Sequence, residues 1–155
     1  LELSKITYRE ATTTDILRLL ELEQSIIGSE RPYDRSIKDK GTTYYDMGSL
    51  IADADSYLIV VEEGGLIVGC GYAQIRPSKN YHTHELHCYL GFIYVEPKSR
   101  GCGIAKSIVK ELTEWGVSRG IRNFYLDVYA CNESAIRAYE KFGFSKLAVE
   151  MELVL

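Results

Sequence analysis

The chain has no C-x-x-C pair. Its four cysteines, Cys70, Cys88, Cys102 and Cys131, are scattered, which excludes a zinc knuckle or a dithiol redox motif. They read as reduced thiols of a cytoplasmic protein rather than as disulfides. There is no basic excess either. Lys and Arg total 18 against 22 Asp and Glu, a net charge of -4, so no nucleic-acid partner is expected. No run is long and apolar enough to span a membrane, and the first residues have no signal-peptide core. Repeats, low-complexity tracts and linkers are absent. The 155 residues, 46% hydrophobic, read as one domain covering 1–155, large enough to bury a real core. The three histidines do not suggest a metal. On a strand His82 and His84 share a face that His87 does not, and no cysteine completes a set. Two nucleotide-binding patterns are missing as well: G-x-x-x-x-G-K-[ST], and the third glycine of G-x-G-x-x-G.

What is present is a regular alternation of elements. Leu3, Ile6 and Tyr8 suggest a first strand over residues 3–9. Thr13 or Thr14 can cap a helix with apolar positions at Ile16, Leu19, Leu20, Leu22 and Ile26. A long polar loop over 28–43 and a short helix over 45–52 follow. Residues 57–62 and 66–76 flank Glu63-Gly64-Gly65 and form a hairpin. A strand over 84–95 stops at Pro97. Ile104, Ile108, Leu112 and Trp115 then recur on one helical face until Gly120. A strand over 124–129, a helix over 132–142 stopped by Gly143, and a closing strand over 144–155 complete a mixed α/β domain.

The segment between the strand ending at Val95 and the next helix is Arg100-Gly101-Cys102-Gly103-Ile104-Ala105. Backbone amides in such a turn, with the open end of the helix, make an anion site. Glycines let the backbone approach a phosphate closely. Alone, the segment is also compatible with a turn whose glycines serve geometry only.

The segment resembles the R/Q-x-x-G-x-G/A motif of the GNAT family, the Gcn5-related N-acetyltransferases. Downstream, Asn132, Ala135, Tyr139 and Gly143-Phe144 resemble that family's second signature, N-x-x-A-x-x-x-Y-x-x-x-G-F. The resemblance is specific over about 90–144 and rests on element order alone over 1–56. It implies a mostly antiparallel mixed sheet of six to seven strands flanked by about four helices. The sheet is splayed where the fourth and fifth strands part, with acetyl-CoA in the cleft.

The resemblance also implies residue roles. The amides of Arg100, Gly101, Cys102, Gly103, Ile104 and Ala105 would hold the CoA pyrophosphate, with Arg100 the favoured source of positive charge. Backbone groups of Ile93, Tyr94 and Val95 would hold the pantetheine arm. Asn132 would touch the same arm while also suiting a helix N-cap. Tyr139, two turns on, would act as general acid beside the thioester sulfur. With an ordinary phenol near 10 and a thiol near 8.5, full donation is uphill by roughly 2 kcal/mol, so hydrogen bonding to the departing thiolate is at least as good a description. Three candidates for the base rank equally: Asp127, in the slot where some N-terminal acetyltransferases of the family carry Glu, and Glu85 and His87 on the fourth strand. Tyr89 stands about where many members have a Glu on that strand. Tyr33, Tyr44, Tyr45 and Tyr81 would wall an amine pocket by packing and cation–π contact. The implied partners are acetyl-CoA and an amine acceptor, with no metal, no nucleic acid and no membrane, and with room for a homodimer. The expected reaction is direct attack of a small-molecule primary amine in a ternary complex. The alternatives are acetylation of a protein N-terminus or lysine, and a non-catalytic acyl-CoA-binding module.

Overall fold

The structure, a computed structural model, describes residues 4–155. Its strands are β1 (Ile6–Glu10), β2 (Ser56–Glu63), β3 (Leu66–Pro77), β4 (Leu86–Val95) and β5 (Phe124–Tyr125). Its α-helices are α1 (Ile16–Glu30), α2 (Met47–Ala52), α3 (Ile104–Ser118) and α4 (Glu133–Phe142). The sheet order is β1-β2-β3-β4-β5, antiparallel except for the parallel β4–β5 pair. The mixed α/β class expected from the sequence is the one observed.

Alternation along β2 builds a core on each face of the sheet. Leu58 and Val60 pack with Leu19, Leu22 and Ile27 of α1 and with Tyr72 and Phe92. Ile59 and Val61 pack with Ala73, Leu90 and the α3 residues Ile108 and Leu112. The α1 entrance is tied by charge. Asp15 accepts from Arg9 at 2.8 and 2.9 Å and from the Thr12 amide at 2.8 Å, and Arg9 also reaches Glu62. These partners hold the Asp15 carboxyl below its ordinary range, the Arg9 guanidinium foremost.

Three expectations need correction. The count of six to seven strands is five among the described residues, and the strand expected over 124–129 is only two residues long. The closing strand expected over 144–155 is absent. Residues 145–155 are exposed throughout, and no backbone hydrogen bond joins them to the body. Alternating apolar residues favour a strand only where a neighbouring edge supplies hydrogen bonds and an apolar face. The first strand begins at Ile6. Leu3, which belonged to the expectation, lies outside the described residues.

Candidate active site

The glycine loop is shaped by backbone. Gly101 and Gly103 take φ of 86° and 82°, a region costly to residues with a Cβ, and the space where a Cβ would point is open at both. Gly103 caps α3 with no side-chain acceptor, and Ser107 is the first residue whose amide bonds back into the helix, to Gly103 O at 3.0 Å. The amides of Ile104, Ala105 and Lys106 therefore lack intrahelical partners. They border a hollow of about 100 Å³ lined by Val95, Arg100, Gly101, Gly103, Ala105 and Lys106. Arg100 is anchored by Nε to Val95 O at 2.8 Å and lies over the Tyr94 ring at 5.5 Å. The thiol of exposed Cys102 donates to Ser99 O at 3.1 Å.

A gap leads to this hollow. β4 and β5 pair only at Cys88–Phe124 and Tyr89–Tyr125. Beyond Tyr89 the strands separate, so the β5-side edge of residues 90–95 has no strand partner among the described residues. Within this stretch Cys70 opposes Tyr94 and Tyr72 opposes Gly91, leaving Phe92 and Ile93 against Gly71: a β-bulge. Phe92 is buried with φ of 51°, the only non-glycine with positive φ among the described residues. Gly91 admits the Tyr72 ring beside the bulge, since a Cβ there would meet Tyr72 Oη at 2.5 Å. Ile93, Tyr94 and Val95 thus lie on the edge of β4 that β5 leaves unpaired, directly before the loop.

Helix α4 follows β5, and its Tyr139 and Phe142 pack at the margin of the core on the α3 face of the sheet. Asn132 caps it, its Oδ1 accepting from the Ala135 amide at 3.3 Å. Asn132, Ala135, Ile136, Tyr139 and Phe142 are the half-buried positions of the cap and helix, so Asn132 and Tyr139 share the inward face. Tyr139 packs edge-on against Phe144, ring centres 5.8 Å apart. Burial, and secondarily the charge of Glu30, push its phenol above the ordinary value.

The base candidates are dispersed. Asp127 reaches across the gap and accepts from the Tyr89 hydroxyl at 2.9 Å. Burial and then this carboxylate raise the Tyr89 phenol, and the Arg76 guanidinium lies 4.1 Å above its ring. Glu85 is exposed and precedes β4. His87 belongs to a cluster at the far end of the strand. The Ser78 hydroxyl meets His84 Nδ1 at 2.7 Å and His87 Nδ1 at 3.1 Å, and His84 Nε2 pairs with the Tyr125 hydroxyl at 2.9 Å. Burial, then His84 and Arg76, lower the His87 pKa. The loop geometry brings His84 and His87 to one hydroxyl, which strand alternation had separated. No group of three metal-ligating side chains fit to hold an ion occurs among the described residues.

The tyrosine-rich segment after α1 is held by Glu23, fully buried in α1, whose Oε2 accepts from the Tyr44 and Tyr45 amides at 3.0 and 2.8 Å. Tyr44, Tyr45, Tyr72 and Arg76 line a hollow of about 400 Å³ on that face of the sheet. Tyr81 lies apart, 71% exposed. Three residues that sequence reasoning missed converge nearby. Tyr129 stacks on Tyr33 at 5.8 Å, and its hydroxyl meets Asp34 Oδ2 at 3.4 Å. Half-buried Glu30, last in α1, has its carboxyl pushed up by burial, offset in part by the Tyr44 hydroxyl. No spacing signal links positions 95 residues apart, and Glu30 reads in sequence as one more exposed helix carboxylate.

The sequence matches the model of the Acetyltransferase (GNAT) family over residues 15–144. An uncharacterized N-acetyltransferase of Methanocaldococcus jannaschii is 27% identical over 146 residues, covering 92% of this chain and 62% of that protein. The chain therefore spans less than two thirds of that relative's length. A Bacillus halodurans protein, solved as a tetramutant, has the same fold with a TM-score of 0.84 at 22% identity, over 96% of this chain and 99% of that one. A predicted acetyltransferase of Clostridium acetobutylicum, solved with acetyl-CoA, has a TM-score of 0.76 at 21% identity, over 97% and 96%.

Proposed function

This chain belongs to the GNAT acetyltransferase family, and from that premise we propose that residues 1–155 form an N-acetyltransferase domain moving the acetyl group of acetyl-CoA to a primary amine of a small molecule. The observation that carries the reading is the parting of β4 and β5 after Tyr89, with an unpaired strand edge running straight into the amide-lined hollow at Gly101–Ala105. The hollow suits a pyrophosphate and the strand edge suits the amides of a pantetheine arm. The four free cysteines and the absence of a helix long and apolar enough to cross a membrane, among the described residues, favour a cytoplasmic setting.

In the reaction the neutral amine nitrogen attacks the thioester carbonyl carbon. The C–S bond then breaks, CoA leaves as a thiolate, and the amine gives up a proton. Tyr139 serves the thiolate by hydrogen bonding. Its raised pKa makes full proton donation still less favourable than for an ordinary phenol, so stabilisation of negative sulfur is its main contribution. A lysine-like amine must first lose a proton at a cost of roughly 4.6 kcal/mol at pH 7. Asp127, hydrogen-bonded to Tyr89 at the gap, is the best placed of Asp127, Glu85 and His87 to receive it, directly or through water. Tyr44 and Tyr45 line the hollow that would receive the amine, while the Tyr89 ring already carries the Arg76 guanidinium.

The test is thiol release from acetyl-CoA across polyamines, amino acids, aminoglycosides and short peptides. Turnover with small amines is expected. Turnover with peptides alone would move the assignment to protein acetylation, and tight acetyl-CoA binding with no acceptor would make the domain a binding module.

A further inference from the structure

The hollow beside α2 and the gap between β4 and β5 meet at three side chains. Tyr72 lines the hollow, and its hydroxyl end lies against Gly91, on the stretch of β4 that β5 leaves unpaired. The Tyr72 and Tyr89 rings are 6.2 Å apart, and the Tyr89 hydroxyl reaches Asp127 at 2.9 Å. Arg76 lines the same hollow and lies 4.1 Å over the Tyr89 ring. One phenol ring therefore separates a guanidinium from the carboxylate placed to take the amine's proton.

The donors at this junction are unspent. Arg76 Nε donates to Gln74 Oε1 at 2.8 Å, but neither of its Nη groups hydrogen-bonds or ion-pairs with any described residue. Tyr72 is 4% exposed, and its hydroxyl makes no hydrogen bond among the described residues, where a buried hydroxyl ordinarily has a partner. The acids of the hollow are already engaged. Asp46 accepts from the Ser49 amide at 3.0 Å, and Asp53 accepts from the Ser56 hydroxyl at 2.6 Å and the Asp55 amide at 2.9 Å. A polycation would find no free carboxylate here and would meet Arg76 as a like charge. A planar guanidinium fork matches a carboxylate with two parallel bonds. A phosphate dianion, carrying twice the charge, would be repelled more strongly by Asp46 and Asp53 than a carboxylate is.

We propose that the acceptor amine also carries a carboxylate, as an amino acid does, and that Arg76 and the Tyr72 hydroxyl hold that carboxylate at the junction of hollow and gap. The proposal rests on the N-acetyltransferase reading above and narrows its substrate class. A hollow of about 400 Å³ lies at the small end of ligand pockets and suits a molecule of amino-acid size. The rest of the acceptor lies on Tyr44 and Tyr45. Asp127 stays bonded at the far end of the Tyr89 ring, so the anchor leaves the proton's acceptor open. Polyamines and aminoglycosides, which carry no anionic group, are poor acceptors on this account.

The test compares each protein amino acid, and short ω-amino acids, with the matching carboxamide. Thiol release is followed at saturating acetyl-CoA. The amide has the more acidic ammonium of each pair, so reactivity alone favours the amide. The wild-type chain is nevertheless expected to prefer the acid of its best pair by about 10-fold or more in kcat/KM, as hydrogen bonds to a charged group allow. Arg76→Gln is expected to abolish that preference, and Arg76→Lys, which keeps the charge but not the fork, to retain part of it. A merely structural role for Arg76 would lower acid and amide alike. Calorimetric titration of the same acids into the CoA-loaded chain reads the site without turnover, with an expected loss of about 10- to 100-fold in Arg76→Gln. Binding that depends on Arg76 with no thiol release from any acceptor would refute the acetyltransferase reading and leave the carboxylate site standing. Equal kcat/KM for acid and amide in the wild type, a preference that survives Arg76→Gln, or acids that fail to bind the CoA-loaded chain would each overturn the proposal.

Discussion

Replacing Gly103 with glutamate separates a phosphate cradle from a merely geometric turn. The backbone holds Gly103 at φ of 82°, where a side chain costs about 1–2 kcal/mol. Nothing lies within 4 Å of the new Cβ, so no clash is added, and a domain stable by about 5–15 kcal/mol stays folded. The carboxylate would stand in the hollow beside the free amides of α3. At about 6 Å from one phosphate charge, with an effective dielectric constant of about 20, the repulsion is roughly 2.8 kcal/mol, or about 100-fold in affinity. Steric occupation adds to this. Isothermal titration with acetyl-CoA measures the loss, and thermal melting confirms the fold. Gly64→Glu is the matched control: φ is 59°, its surroundings are equally open, and it lies in the β2–β3 turn away from the gap. Equal loss in both variants, or wild-type affinity in Gly103→Glu, would refute the reasoning.

Other expectations follow from the same geometry. Tyr139→Phe should lower kcat by about 10- to 100-fold, or about 1.4–2.8 kcal/mol, with acetyl-CoA affinity nearly unchanged, and unchanged kcat would remove the tyrosine from the chemistry. Glu23→Ala should cost roughly 1–3 kcal/mol in denaturant melts, because it strands the part-buried Tyr44 and Tyr45 amides. A shift within error would show that the loop does not hang on that carboxyl. Glu30 has a folded-state pKa raised by burial, so its relative contribution is fully present below the unfolded value and is lost as pH rises through the folded one. Glu30→Gln should therefore melt higher than wild type at pH 7, with the difference shrinking below about pH 4.3. A difference independent of pH would contradict this. Asp15 has the opposite sign. Its lowered carboxyl pKa gives stability present above the ordinary range and lost as pH falls through the folded value, so acid should weaken the wild type more than Asp15→Asn.

Much of this molecule is local and so was legible in the chain. The Gly64-Gly65 turn, the Ile104–Ile108–Leu112 face of α3, the Asn132 cap and the Gly143 stop each depend on residues within a turn or two of one another. The glycine loop is legible for the same reason, since its shape comes from two positive-φ glycines. The bulge at Phe92 carries no sequence mark, because its positive φ is imposed by pairing with β3 across Gly71. The meetings of Asp34 with Tyr129 and of Tyr89 with Asp127 are set by tertiary folding alone. The last segment shows the converse failure. Its pattern is that of a strand, but a strand needs pairing, and residues 145–155 take up no edge of the sheet in this structure.

The most direct test of the central claim is an amide-resolved NMR titration of the chain with acetyl-CoA. Shifts concentrated on residues 93–95, on 100–106 and on Asn132 are predicted. Saturable binding whose shifts lie elsewhere, or no binding at all, would contradict the account.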